Sequence, residues 1–182
     1  MTLLRFDDVA CFRGGRMLFE QLSFQLESGE ALHLGGPNGS GKSSFIRLAA
    51  GLLRAERGRI ERSTLALADE ALALDRELPL ARALHFWGGH VDKMMEAMGL
   101  AHLAAVPVRL LSTGQAKRAT LARVAASGAP LWLLDEPLNG LDTDGVTRLE
   151  ALIVDHLAGG GAVLAASHGS LGGNWKRLEL GT

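Results

Sequence analysis

The amino-acid sequence predicts an α/β fold, in which a mainly parallel sheet carries helices on both faces, with an antiparallel β edge and a short helical subdomain. The apolar stretch Ala31–Leu34 leads into a glycine-rich loop and then into a helical run at 44–50. Past residue 111 the pattern alternates again, with a helix from Thr113, a strand at 131–134, a helix at 143–158 and a strand at 162–166. Alternation of this kind is typical of a parallel sheet between two layers of helices.

The segments outside this alternation are predicted as follows. Residues 4–9 and 22–26 alternate apolar and polar positions, and a turn at Ser28–Gly29 follows, which indicates antiparallel strands at the edge that leads to the strand 31–34. Short strands are expected at 58–62 and 65–68. From Pro79 to about Leu111 the periodicity is helical, with runs at 80–87 and 91–98.

The composition of the chain argues against several classes of function. The 182 residues are expected to form one domain, and a net charge of −1 gives no electrostatic reason to expect a nucleic-acid partner. The single cysteine, Cys11, excludes an internal disulfide framework and a cysteine-based metal cage. The longest apolar stretches fall short of about 18 residues, so we do not expect this polypeptide to cross a membrane alone.

The glycine-rich loop matches the pattern G-x-x-x-x-G-K-[ST] and points to a nucleoside triphosphate. Its glycines let successive backbone N–H groups face phosphate oxygens, and the following helix adds the partial positive charge of its N-terminus. Lys42 is expected to reach the β- and γ-phosphates, and the hydroxyl of Ser43 is expected to bind Mg²⁺. The predicted ATP-binding residues of this segment are Gly36, Pro37, Asn38, Gly39, Ser40, Gly41, Lys42, Ser43 and Ser44.

A second motif, Asp135-Glu136-Pro137, ends the apolar strand 131–134. Asp135 is expected to hold Mg²⁺ through water, and Glu136 to orient or deprotonate the attacking water. The structural alternative, acidic residues that merely cap a strand end, is disfavoured by the apolar strand before them and the phosphate loop upstream.

A third motif, Leu111-Ser-Thr-Gly-Gln115, begins the helix predicted at 113–126, with Ser112 as its N-cap. Five motifs follow one another along nearly the whole chain: the phosphate loop, this Leu-Ser-Thr-Gly-Gln segment, Asp135-Glu136, Leu141-Asp142 and a strand that ends in Ser167-His168. In the identity and order of these motifs, the chain resembles the nucleotide-binding subunits of ABC transporters. The resemblance implies a P-loop ATPase fold with a helical subdomain at about 79–127 inserted in a RecA-like core.

The resemblance also implies how the site is completed. In this family two subunits pack head to tail, so that ATP lies between the phosphate loop of one subunit and the signature segment of the other. It implies that Ser112, Thr113, Gly114 and Gln115 act in trans, that Asp142 is the D-loop acid, and that His168 contacts the γ-phosphate. Catalytic roles are thus expected for Lys42, Glu136 and His168.

The sequence departs from the family pattern in three places. Thr113 stands where Gly is common, and we expect activity to survive. The loop that usually carries a Gln near the metal has none, and Glu70 is the best match as a Mg²⁺ ligand. The chain has no Tyr for the adenine, so Arg13, with Phe12 beside it, is predicted to stack on the base.

Softer similarities point to one subfamily. The small size, the segment 11–16, Trp132 before the acidic pair and the Ala165–His168 ending most resemble the haem-exporter ATPases of cytochrome c maturation. This implies a cytoplasmic ATPase, peripheral on the inner membrane, which works with separate transmembrane permease subunits and binds no haem itself, because there is no Cys-x-x-Cys-His motif. The alternatives left open are another ABC exporter for efflux or lipid, a P-loop small-molecule kinase, and a non-catalytic ATP-gated scaffold.

Overall fold

The computed structural model describes residues 1–169 and 171–181, and its elements alternate between strands and helices. The strands are β1 (Thr2–Arg13), β2 (Arg16–Glu27), β3 (Ala31–Gly35), β4 (Arg57–Arg62), β5 (Leu65–Ala68), β6 (Leu131–Asp135), β7 (Ala162–Ala166) and β8 (Lys176–Glu179). The helices are α1 (Lys42–Ala50), α2 (Leu80–His85), α3 (Val91–Ala97), α4 (Thr113–Ala126) and α5 (Thr143–Ala158), with 3₁₀ turns at Ala101–Leu103 and Val108–Leu110.

Five strands form a parallel sheet in the order β5-β6-β7-β3-β8. Strands β6 and β7 are buried along their whole length, and their side chains are apolar up to Asp135. Such unbroken apolar runs suit a strand that is covered on both faces. The α/β fold predicted from the alternation is therefore confirmed.

The antiparallel strands differ from the expectation of an edge on this sheet, because β2, β1 and β4 form a separate three-stranded sheet. β1 pairs with β2 on one side and with β4 on the other. The buried face of β1, which includes Leu4 and Phe6, packs toward α1 instead of extending the row of β3. A turn at Gly14–Gly15 closes the β1–β2 hairpin, and both of its residues have positive φ, a conformation that glycine adopts without strain.

The apolar side chains are divided between two clusters, one on each face of the parallel sheet. One cluster joins α4 and α5 to the sheet through side chains such as Leu121, Ile153 and Trp132. The other places α1 between the two sheets, with Phe45 fully buried against Phe6, Phe24 and Phe19. The carboxyl ends of β3, β6 and β7 then meet at one edge, where open α/β sheets bind their ligands.

One detail of this edge was not predicted. Strand β8 lies beside β3, and the Glu179 carboxyl packs against Gly35 at the start of the glycine-rich loop. Helices α2, α3 and α4 lie between β5 and β6 in the chain, in the stretch where the sequence predicted helices. Among residues 1–169 and 171–181, no helix has the length and apolar composition that crossing a bilayer requires.

Candidate functional site

The glycine-rich loop connects β3 to α1 and is held open by its own backbone. Gly36, Gly39 and Gly41 have φ of 134°, 78° and 107°. A Cβ on Gly36 would lie 2.5 Å from the Leu180 carbonyl oxygen and 2.7 Å from Ser40 Oγ, so only glycine fits there. Helix α1 has no side-chain cap at its N-terminus, which leaves its first N–H groups available to an anion.

Lys42 begins α1 and turns its ammonium group back over the loop. Its Nζ donates to the carbonyl oxygens of Gly36 at 2.8 Å and Pro37 at 3.3 Å. It lies 3.4 Å from Nε2 of His168, which follows β7, and this Nε2 lies 3.5 Å from Oε1 of Glu136, which follows β6. The fold thus brings together the three residues that were predicted to be catalytic.

The backbone at Glu136 is strained, with a φ of 46°. A non-glycine residue rarely adopts this left-handed conformation, and it is found mostly where the surrounding structure holds it for a function. Here the Glu136 N–H donates to the Ala166 carbonyl oxygen at 2.8 Å, which fixes the bend to the end of β7. The side chain is 23% exposed and faces the cleft.

Asp135 lies one residue earlier and is buried. Desolvation raises the pKa of its carboxyl, the hydroxyl of Ser43 lowers this pKa, and the negative charges of Glu136 and Glu70 raise it. Its Oδ1 is buried without a hydrogen-bond partner. A buried carboxylate oxygen without a partner beside a serine hydroxyl is chemically suited to a hard cation such as Mg²⁺.

These groups open into a cleft of about 650 Å³, a size that accommodates a nucleotide-sized ligand. The predicted residues that line it are Arg13, Asn38, Gly39, Gly41, Lys42, Ser43, Ser44, Glu136 and His168. Of the other residues predicted for this site, Gly36, Pro37, Ser40 and Asp135 are not part of the lining, Phe12 is exposed outside it, and Glu70 is exposed two residues beyond the end of β5.

Four further residues line the cleft that the sequence analysis did not identify: Gly14, Arg16, Leu18 and Asn139. An Arg16 guanidinium nitrogen donates to the Gly39 carbonyl oxygen at 2.5 Å, so the β1–β2 hairpin is tied to the glycine-rich loop. The sequence feature that could have identified Arg16 is its position immediately after the Gly14–Gly15 turn, close to Arg13. Nothing in the sequence near Asn139 distinguishes it from an ordinary turn residue.

The Ser-Thr-Gly-Gln segment lies in a different, smaller cleft of about 260 Å³. Ser112, Gly114, Gln115 and Asp142 line it, together with residues from 99–103, Arg118 and Gly140, whereas Thr113 does not. Ser112 caps α4 as predicted: its Oγ accepts from the Gln115 N–H at 3.2 Å, and the Gln115 side chain accepts from the Ser112 N–H at 2.9 Å. Within one chain, this segment is not brought to the glycine-rich loop.

Asp142 is the N-cap of α5 and an ion-pair partner of α4. Its Oδ1 accepts from the Gly145 N–H at 2.9 Å and from the Arg118 guanidinium, which also reaches Asp144 at 3.0 Å. The Gly145 N–H is the largest cause that lowers the Asp142 pKa, followed by Arg118. Both contacts favour the ionised carboxylate, so Asp142 is held as an anion beside the Ser-Thr-Gly-Gln segment.

The comparisons with known proteins agree with this arrangement. Residues 19–139 match the family model described as ABC transporter. The chain is 59% identical to the cytochrome c biogenesis ATP-binding export protein CcmA of Sphingopyxis alaskensis, over 93% of this chain and 92% of that protein. It is 51% identical to the protein of the same name from Zymomonas mobilis, over 95% and 82%.

Solved structures of ABC transporter ATP-binding proteins have the same fold as this chain. The ATP-binding subunit of an ABC transporter superposes with a TM-score of 0.84 at 24% identity, covering 92% of this chain and 80% of that one. A putative ABC transporter ATP-binding protein from Pyrococcus furiosus gives 0.83 at 20% identity, covering 97% and 96%. The phosphate loop, the acidic pair and these relatives together establish that the chain belongs to the ABC transporter family, as an ATP-hydrolysing subunit in the group of the cytochrome c biogenesis export proteins CcmA.

Proposed function

We propose that two copies of this chain bind ATP head to tail and that its hydrolysis drives an export step in cytochrome c biogenesis through separate membrane subunits. The observation that carries the proposal is the separation of two half-sites in one chain: the cleft at Lys42 holds the phosphate loop, and the cleft at Ser112 holds the signature segment. Neither cleft is complete alone, and a head-to-tail pair brings each one opposite the other. Each copy then supplies what its partner lacks.

In the phosphate half-site, Lys42 exchanges its loop carbonyls for phosphate oxygens. The N–H groups of the loop and of the start of α1 surround the phosphates, and Arg13 stacks on the adenine from the hairpin. Phe12 supports that part of the hairpin from outside the cleft. Across the dimer, Ser112 and the Gly114 N–H reach the γ-phosphate, and Thr113, Gln115 and Asp142 hold the segment in place.

The metal side is formed by Ser43, Asp135 and Glu70. Asp135 offers the buried unpartnered Oδ1, Ser43 offers its hydroxyl, and Glu70 follows the neighbouring strand β5. A bound Mg²⁺ would neutralise part of the triphosphate charge. No group of three or more His, Cys, Asp or Glu side chains suited to a metal occurs in the described part of the chain, which is compatible with an ion that is held mainly by phosphate and water.

Glu136 is the base that takes a proton from the attacking water. Its strained backbone aims the carboxylate into the cleft, beside His168 and within the same cluster as Lys42. His168 contacts the γ-phosphate as negative charge develops on it. Haem has no place in this chemistry, and we propose that this chain does not bind it.

The membrane partner is a transmembrane permease that docks on the helical region after β5, so the chain works as a peripheral subunit on the cytoplasmic face of the inner membrane. Phe86 is 82% exposed there and packs edge to face on Trp87, beside a cavity of about 290 Å³. Exposed aromatic side chains of this kind commonly anchor an interface. Co-purification from membranes with Phe86→Ala should recover less permease, whereas Val154→Ala, which truncates an exposed apolar residue of α5, should not.

The head-to-tail arrangement is tested by mixing two inactive variants, Lys42→Ala and Ser112→Arg. Each homodimer has two broken sites, whereas a mixed dimer has one site with an intact phosphate loop and an intact signature segment. A 1:1 mixture should therefore regain about a quarter of the wild-type ATPase rate, because half of the dimers are mixed and each has one working site. An inactive mixture of two folded variants that do exchange subunits would contradict the shared site.

A further inference from the structure

Arg16 begins β2 and lines the nucleotide cleft next to the hairpin turn. One of its guanidinium nitrogens donates to the Gly39 carbonyl oxygen at 2.5 Å. A Cβ on Gly39 would lie 3.4 Å from this nitrogen, so the arginine lies directly against the glycine-rich loop. Because Arg16 binds a carbonyl oxygen of the loop, the loop N–H groups stay available to phosphate oxygens.

The tip of the β1–β2 hairpin is otherwise exposed. Residues 12–17 are all exposed, and Gly14–Gly15 form the turn between the two strands. Further along β2, a Cβ on Gly41 would lie 3.2 Å from two side-chain carbons of Leu18, so β2 also packs closely on the loop there. The hydrogen bond of Arg16 is thus a polar contact that holds the exposed tip on the glycine-rich loop.

Arg13 and Arg16 lie opposite each other across the hairpin, as the register pair next to its turn. Like charges on directly opposed residues destabilise a pair of strands. The guanidinium group of Arg16 is bonded to Gly39, whereas Arg13 lines the cleft, where it is assigned to the adenine. The position of Arg13 beside the cleft therefore depends on how firmly Arg16 is held.

The glycine-rich loop has supports of its own that do not involve Arg16. The Ser40 N–H donates to the Pro37 carbonyl oxygen at 3.1 Å. The Leu180 N–H, just after β8, donates to the Gly35 carbonyl oxygen at 3.1 Å, at the start of the loop. Loss of the Arg16 side chain should therefore release the hairpin and leave the phosphate-binding loop in place.

We propose that Arg16 is a positioning residue for the nucleotide base: it fixes the hairpin on the glycine-rich loop, so that Arg13 is held where it can stack on the adenine. The inference rests on the stacking role proposed above for Arg13. A preorganised contact binds more tightly, because less conformational freedom is lost when the ligand arrives. Loss of Arg16 should therefore weaken binding of the base and not binding of the triphosphate.

The test compares ATP with inorganic triphosphate, each with Mg²⁺, by titration calorimetry. Arg16→Ala should raise the Kd for ATP about tenfold, within the range for one base stacked on a side chain, and leave the Kd for triphosphate within about twofold. In steady-state hydrolysis it should raise the KM for ATP about tenfold and keep kcat within about twofold. Arg16→Lys, which keeps a donor for Gly39, should bind ATP within about threefold of wild type.

A double-mutant cycle tests whether the two arginines act through one contact. Arg13→Ala should also weaken ATP binding and not triphosphate binding. Adding Arg16→Ala to it should weaken ATP binding by no more than about threefold further, because both changes remove the same base contact. Losses that multiply would overturn the proposal. Equal weakening of ATP and triphosphate binding in Arg16→Ala would also overturn it, since Arg16 would then bind phosphate or shape the loop.

The matched control is Arg59→Ala, at an exposed arginine of β4 in the same sheet, which should leave both Kd values and thermal stability unchanged. Lys42→Ala should weaken binding of both ligands, which verifies that triphosphate binds at the glycine-rich loop. Wild-type ATP affinity in Arg13→Ala would refute the stacking role of Arg13. Weakened ATP binding in Arg13→Ala together with wild-type binding in Arg16→Ala would overturn the role of Arg16 alone.

Discussion

Nε2 of His168 lies 3.5 Å from Oε1 of Glu136, although the two residues follow different strands. β6 and β7 are neighbours in the parallel sheet, and the Glu136 N–H is bonded to the carbonyl oxygen that ends β7. The short distance between His168 and Glu136 is therefore fixed by the register of two central strands. Lys42 Nζ lies 3.4 Å from the same Nε2, so one imidazole nitrogen contacts both the base and the phosphate-loop lysine.

Replacing Glu136 with Gln removes the base and keeps the shape of the side chain. We expect ATP binding and nucleotide-dependent dimerisation to survive and turnover to fall by at least about 100-fold, the usual contribution of general-base catalysis. Phosphate release measures turnover, and light scattering in the presence of Mg²⁺ and ATP measures the nucleotide-dependent dimerisation. Hydrolysis at the wild-type rate would refute the assignment of Glu136.

Replacing His168 with Ala removes the imidazole that joins Glu136 and Lys42. We expect kcat to fall by about 100-fold, similar to the loss of one hydrogen-bond donor to a developing anion, with little change in nucleotide affinity. Single-turnover hydrolysis and equilibrium binding of a non-hydrolysable analogue separate the two effects. His90→Ala, at an exposed histidine next to α3, is the control and should retain the wild-type kcat.

Replacing Ser112 with Ala removes the cap of α4 together with the hydroxyl proposed to reach the partner's ATP. Loss of the cap should cost about 1 kcal/mol of stability, measured by urea unfolding of the nucleotide-free chain. Ser112→Asn restores a capping group but not the serine hydroxyl. Stability should therefore recover in Ser112→Asn while turnover stays low, and recovery of both would show that Ser112 acts only as a cap.

His156 makes stability depend on pH near neutrality. Its ring stacks on Trp132 at 3.8 Å between centroids, and burial lowers its pKa below 6.5. Because the folded state binds the proton less well than the unfolded state, stability is present above pH 6.5 and is lost as the pH falls through the lowered pKa. Thermal unfolding between pH 7.5 and 5.5 should show this loss, and His156→Phe, which keeps a stacked ring, should reduce the slope.

Phe45 anchors α1 between the two sheets and is completely buried. Its ring stacks on Phe6 at 4.8 Å and on Phe24 at 5.4 Å. Phe45→Ala should cost about 3–5 kcal/mol, because the removed ring leaves a cavity that two sheets cannot easily close. Phe45→Leu should cost less, and equal losses in the two variants by chemical denaturation would contradict this packing.

Several parts of the fold were predictable because they depend on neighbours in the chain. The apolar runs that became β6 and β7, the helices at 113–126 and 143–158 and the cap at Ser112 all have short-range signals. The strand β8 was missed, since Lys176–Glu179 is polar and acquires its strand geometry by pairing with β3. The separate antiparallel sheet was also missed, because strand periodicity does not identify the partner of a strand.

The sequence by itself determined which residues can do the chemistry: a loop whose glycines permit its curvature, a lysine at the start of the helix after it, and two acids at the end of a buried strand. Tertiary structure decided where those residues meet. The strand order placed His168 beside Glu136, and the packing of the hairpin and of α4 on the sheet brought Arg16 to the site and kept Ser112 in a separate cleft. The physical reason is that backbone conformation is set by local sterics and hydrogen bonding, whereas contacts between distant segments are set by the burial of two apolar faces, which a single stretch of sequence cannot specify.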